Sequence, residues 1–108
     1  MRYKYNNHKS EYKGMKFDSK KELNYYIRLE KMEQAGEIKN LQRQVKFELQ
    51  PGFEFKGKRI RAICYYADFT YDTPDGKHHI VDTKGMRTDV YKIKKKLMQY
   101  NGYDIEEV

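Results

Sequence analysis

The apolar positions change period several times along the chain, and each change marks an element. Around Leu23, Tyr26, Ile27 and Leu29 they fall on one broad side at 100° per residue, which predicts a helix. Its start is the run Phe17-Asp18-Ser19-Lys20-Lys21-Glu22. Ser19, three residues before Glu22, fits a capping box, and Asp18 is a competing cap. Gly36 ends the helix near Ala35. From Ile38 to Gln50 the period drops to two. Val45, Phe47 and Leu49 alternate with Gln44, Lys46, Glu48 and Gln50, giving a strand with one wet face. Pro51-Gly52 breaks it, and Phe53-Glu54-Phe55 before Lys56-Gly57-Lys58 reads as a short strand and turn. Residues 59–72 form the longest strand candidate. Between Ile60 and Phe69 both alternating sets are largely apolar, so this strand is expected to be central and covered on both faces. Thr73-Pro74-Asp75-Gly76 is a turn leading into a further strand through His79, Ile80 and Val81. Thr88 or Asp89 caps a second helix to about Tyr100, with Val90, Ile93, Leu97 and Tyr100 as its buried stripe. Asn101-Gly102 ends it, and residues 103–108 read as a last short strand.

Residues 1–16 show no sustained period and are expected to be a loosely ordered basic arm. The remainder, 17–108, reads as one domain with the order α-β-β-β-α-β. That order implies an α/β fold, a mixed sheet flanked by helices, with a right-handed final β-α-β crossover.

Three carboxylates sit where the pattern calls for apolar residues. Glu22 lies inside the apolar face of the first helix. A carboxylate there is costly unless it is paired or bound to a cation. It either closes the capping box or faces a metal site, and the two roles are compatible only if Asp18 is the cap. Asp68 continues one alternating set of the central strand. Asp82 ends the next strand, with Lys84 two residues on, so the two are expected to share a face at the strand's end. Taken alone, Asp-x-Lys is a short pattern, and most copies are exposed ion pairs. The turn at 73–76 pairs position 68 with 81, give or take one, which brings Asp68 and Asp82 to one level. Two carboxylates that close repel, and a shared divalent cation relieves this. If the register put them on opposite faces, there would be no site.

Composition narrows the partner. The chain has 108 residues, with 23 Lys+Arg against 16 Asp+Glu and a net charge of +7. Such an excess attracts polyanions, of which nucleic acid is the commonest soluble kind. Lys92, Lys94, Lys95 and Lys96 crowd the second helix: either an ordinary solvated face or, following an Asp-x-Lys strand, a phosphate-facing one. One cysteine, Cys64, excludes an internal disulfide and a cysteine-rich zinc site. No apolar run long enough to span a membrane and no signal-peptide core are present, so a soluble, cytoplasmic protein is expected.

Glu22 on the first helix, Asp68 in "YADF", and Asp82-x-Lys84 in "VDTKG" resemble the PD-(D/E)xK nuclease superfamily, the restriction-endonuclease-like fold. The nearest likeness is to small phage-encoded members with "FDSKKE", "GEI", "LQRQVKFEL" and a following "KKK", related to junction-resolving endonucleases. The likeness spans residues 17–100. Asp82 stands where many members have Glu, and Ala67 where the motif has Pro. The resemblance implies that Asp68, Asp82 and the carbonyl of Thr83 ligate Mg²⁺ or Mn²⁺, that Lys84 orients the attacking water, and that Glu22 completes the site directly or through water. It places Gln44 where related branches keep a strand glutamine. It implies a homodimer that hydrolyses phosphodiester bonds in branched or structured DNA inside a phage-infected cell. The competing expectation is a catalytically silent module of the same fold that binds nucleic acid or protein.

Overall fold

The computed structural model describes residues 9–85 and 87–108. The chain runs β1 (Ser10–Tyr12), β2 (Met15–Phe17), α1 (Lys20–Gln34), β3 (Lys39–Gln50), β4 (Phe53–Phe55), β5 (Lys58–Ile60), β6 (Ile63–Asp72), β7 (His78–Asp82), α2 (Asp89–Tyr100) and β8 (Ile105–Glu107). One mixed four-stranded sheet has the order β3-β6-β7-β8. Its β3–β6 and β6–β7 pairs are antiparallel, and β7–β8, joined through α2, is parallel. Among the described residues no helix is long and apolar enough to cross a membrane.

Local chemistry sets the helix starts. Ser19 is extended (φ −153°), and its hydroxyl accepts from the Glu22 N–H. Thr88 does the same for the Tyr91 N–H at α2. Gly36, at φ +78°, turns the chain away after α1, a conformation that an L side chain resists.

Each helix covers its own apolar cluster. Leu29 of α1 packs with Phe17, Ile38, Phe69, Tyr71 and Val81. Tyr91 and Met98 of α2 pack with Tyr65, Ala67, Ile80 and Ile105. Ile80 and Val81 are neighbours on β7, so the two clusters lie on opposite faces of the sheet. Ala67 and Phe69, two apart on β6, ought to share a face, yet they belong to different clusters. On β3, Leu41 packs on the α1 side while Phe47 and Leu49 pack on the α2 side. Both strands therefore change face at one level, between Arg43↔Phe69 and Val45↔Ala67. The residues at that level are Gln44 and Asp68. Gln44 has φ +51°, left-handed backbone in mid-strand, at a cost on the order of 1–3 kcal/mol.

Four expectations are corrected. The long strand 59–72 is two pieces, because Arg61-Ala62 leave the strand and part β5, which pairs with β4, from β6, which pairs with β3. Burial of β6 on both faces holds only from Ala67 onward; Ile63 and Tyr66 are exposed. The buried stripe of α2 is Tyr91 and Met98, seven apart, while Val90, Ile93 and Tyr100 face outward. The Tyr91 hydroxyl donates to Glu107 on β8, which turns the helix that way. Of the supposed arm, residues 1–8 lie outside the described residues. Residues 10–17 instead form the β1–β2 hairpin, held to α1 by Tyr12 and Lys13 on Glu30 (2.9 and 3.3 Å).

Phe69 is fully buried where β6 meets α1, whereas Phe55 is 57% exposed. Phe69→Ala is expected to lower the unfolding free energy by about 3–5 kcal/mol, and Phe55→Ala by less than about 0.5 kcal/mol. Urea titration followed by circular dichroism measures both.

Candidate active site

The β6–β7 ladder decides the register. Thr70 pairs with Ile80 and Phe69 with Val81. One step further, Asp68 and Asp82 stand level at the mouth of the hairpin, and both are buried (4% and 8% exposed). They line one cleft of about 270 Å³ with Gln44, Tyr65, Lys84 and Lys94.

Each carboxylate is held by a different set of donors. Asp68 Oδ2 accepts from the Thr83 N–H and the Thr83 hydroxyl, both at 2.8 Å. Asp82 Oδ1 accepts from the N–H groups of Lys84 and Gly85 (2.8 and 2.9 Å), and its Oδ2 accepts from the Tyr65 hydroxyl at 2.7 Å. Burial, then this bond to Asp82, pushes the Tyr65 phenol far up, so it remains a donor. By accepting from the two residues that follow Thr83, Asp82 bends its own backbone and ends β7. The strand thus stops before Lys84, and the shared-face argument for Asp82 and Lys84 does not apply. The turn nevertheless leaves both in the cleft lining.

Glu22 has no solvent exposure. Its Oε1 accepts from the Asp18 N–H at 3.1 Å, and its Oε2 accepts from Gln44 Nε2 at 3.0 Å. The same Gln44 nitrogen makes a long 3.4 Å contact to Asp68 Oδ1. One amide therefore lies between two carboxylates, aimed by the left-handed backbone of Gln44. Capping and site-facing roles do not compete: Ser19 is the cap, and each Glu22 oxygen serves one purpose. Burial first, and then the Asp68 charge, raise the Glu22 carboxyl above its ordinary range.

Lys84 donates to Asp18 Oδ2 at 3.0 Å. Burial pulls its ammonium down, but the bond to Asp18 and the charges of Asp68, Asp18 and Glu22 outweigh this and raise it. Lys84 thus stays protonated. The lysines of α2 do not act as one row. Lys95 is tied to Glu107 (3.0 Å) and Lys94 lines the cleft, while Lys92 and Lys96 are exposed. Asp18 and Tyr65 escaped the sequence reading in these roles. Neither carries a local signal, since each acts through a contact far along the chain.

Among the described residues no three carboxylate, imidazole or thiol groups are gathered as a ready-made metal site. The donors nonetheless suit a hard divalent cation in kind, being carboxylate oxygens. Among the described residues, Asp68 Oδ1 meets only Gln44, at a long 3.4 Å.

A model of a family described as protein of unknown function, DUF1064, matches residues 2–107. The chain belongs to this family. No curated protein and no solved structure matches it. The match to DUF1064 takes in Glu22, Gln44, Asp68, Asp82 and Lys84 alike.

Because the folded state holds the Glu22 proton more tightly than the unfolded chain, its ionisation costs stability as pH rises through the raised value. In EDTA, Glu22→Gln is expected to gain thermal stability relative to wild type as the pH is raised above the ordinary glutamate range. Parallel melts at several pH values check this. A difference that stays constant with pH contradicts it.

Proposed function

We propose that this DUF1064 chain is a metal-dependent endonuclease of the PD-(D/E)xK type, acting on branched or otherwise structured DNA. With the two outlying hairpins set aside, the element order α1-β3-β6-β7-α2-β8 is the α-β-β-β-α-β order read from the sequence, which supports a restriction-endonuclease-like core. The observation that carries the reading is the register: Phe69↔Val81 brings Asp68 level with Asp82, in one cleft with Lys84.

Electrostatics supports a cation. Asp68 and Asp82, level in one cleft, repel a phosphodiester, and Lys84 is already paired with Asp18. Asp68 and Asp82 would hold Mg²⁺ or Mn²⁺ with the Thr83 carbonyl, and Glu22 would support them through Gln44. When bound, the cation supplies Lewis-acid polarisation of the phosphate and charge neutralisation. Lys84, being protonated, donates to a water or a non-bridging phosphate oxygen and does not take up a proton. Hydrolysis joins the water oxygen to phosphorus and breaks one phosphorus–oxygen ester bond. Thr83 and Gln44 fix the Asp68 carboxylate, so little reorganisation is needed when charge develops. A homodimer would present two such clefts to a branch point.

A second reading, a silent binding module of the same fold, is favoured by one observation: both Asp82 oxygens already have protein donors.

The test is cleavage of fluorescent branched DNA with Mg²⁺ or Mn²⁺. Wild type is expected to cut, and Asp82→Asn and Lys84→Ala each to lose about 10²-fold or more in rate. Equal rates in wild type and Asp82→Asn refute the reading.

A further inference from the structure

Among the described residues, the β4–β5 hairpin takes no part in the four-stranded sheet, either apolar cluster or the cleft. It forms a separate two-stranded sheet whose six strand residues are all exposed. Its turn, Lys56-Gly57 at φ +50° and +78°, has both central residues left-handed, the tight hairpin geometry that twists with its strands. A lone hairpin is marginal in water, so apolar side chains displayed on it have no evident part in folding.

The register sorts those side chains. Phe53 pairs with Ile60, Phe55 with Lys58, and Glu54 with Arg59. Phe53, Phe55, Ile60 and Lys58 therefore share one face, with Glu54 and Arg59 on the other. Phe53 and Phe55 are 41% and 57% exposed, and the Lys56 ammonium sits 5.4 Å from the centre of the Phe55 ring. Residues 53–61 hold four cations, Lys56, Lys58, Arg59 and Arg61, against one carboxylate, Glu54. A basic tip beside open aromatic rings complements a ligand with regular negative charge and flat π-faces, which is nucleic acid. Bases inside a duplex are already stacked, so the fit is to unpaired ones. Position agrees: Arg61-Ala62 leads directly into β6, whose exposed Tyr66 lines the candidate cleft.

We propose that the β4–β5 hairpin grips unpaired nucleotides, with Phe55 stacking on a base and Lys56 and Lys58 meeting the flanking phosphates. The proposal rests on the nuclease reading only for the choice of DNA as the nucleic acid. It gives branched DNA, with bases open at the branch, a point of capture outside the cleft.

Fluorescence anisotropy in EDTA tests it without any cleavage, using a labelled oligothymidylate and a duplex of equal length. Wild type is expected to bind the single strand. Phe55→Ala, and separately the double change Lys56→Ala with Lys58→Ala, are expected to weaken that binding by about tenfold or more, with circular dichroism unchanged. Failure of wild type to bind the single strand overturns the proposal. So does Phe55→Ala binding as wild type does, including the case where sedimentation shows that it dissociates a dimer, which would assign the face to a second copy. If the binding pattern holds but branched DNA is never cut, only the nuclease reading falls. If wild type cuts and the hairpin variants bind normally, only this proposal falls.

Discussion

One amide group, the side chain of Gln44, lies between two buried carboxylates at the level where the sheet changes face. Glu22 comes from α1, which covers one face, and Asp68 from the central strand. Gln44 reaches both because its backbone is left-handed in the middle of a strand. The same level divides the core: on its Phe69 side β3 and β6 feed the α1 cluster, and on its Ala67 side the α2 cluster. Strained backbone persists only where its surroundings over-determine it. Here they do, because the interior on both sides of the sheet is arranged around that switch.

The ring of donors around the cleft has a consistent logic. Asp68 is fixed by Thr83, Asp82 by its own following turn and by Tyr65, and Lys84 by Asp18. The ties from Thr83, Tyr65 and Asp18 link residues far apart in sequence, so the cleft depends on the tertiary structure. The α2 lysines are divided in the same way. Lys95 goes to Glu107, whose strand pairs beside β7 and whose carboxylate also receives the Tyr91 hydroxyl. That arrangement locks the sheet edge and leaves Lys94 for the cleft.

Much of this was legible in the sequence, for physical reasons that differ by element. Period-two alternation from Val45 to Gln50 and the Ser19–Glu22 box are local signals, and both elements formed where the pattern put them. The turn at Thr73–Gly76 fixed the register closely enough to bring Asp68 and Asp82 level. The face switch was not legible, because it depends on the conformation of Gln44, a residue type with no left-handed preference. The α2 stripe was misjudged because Val90 and Ile93 are apolar yet exposed, while a tyrosine hydroxyl bonded to Glu107 sets the rotation of the helix. Partners such as Asp18 and Tyr65 become visible only through contacts across the fold.

In the proposed nuclease, Asp68 and Asp82 would share one divalent cation. Isothermal titration of Mn²⁺ into the DNA-free protein tests it most directly. Saturable binding is expected for wild type and is expected to be lost in both Asp68→Asn and Asp82→Asn. Equal heats in all three proteins, or no binding by wild type, would contradict it.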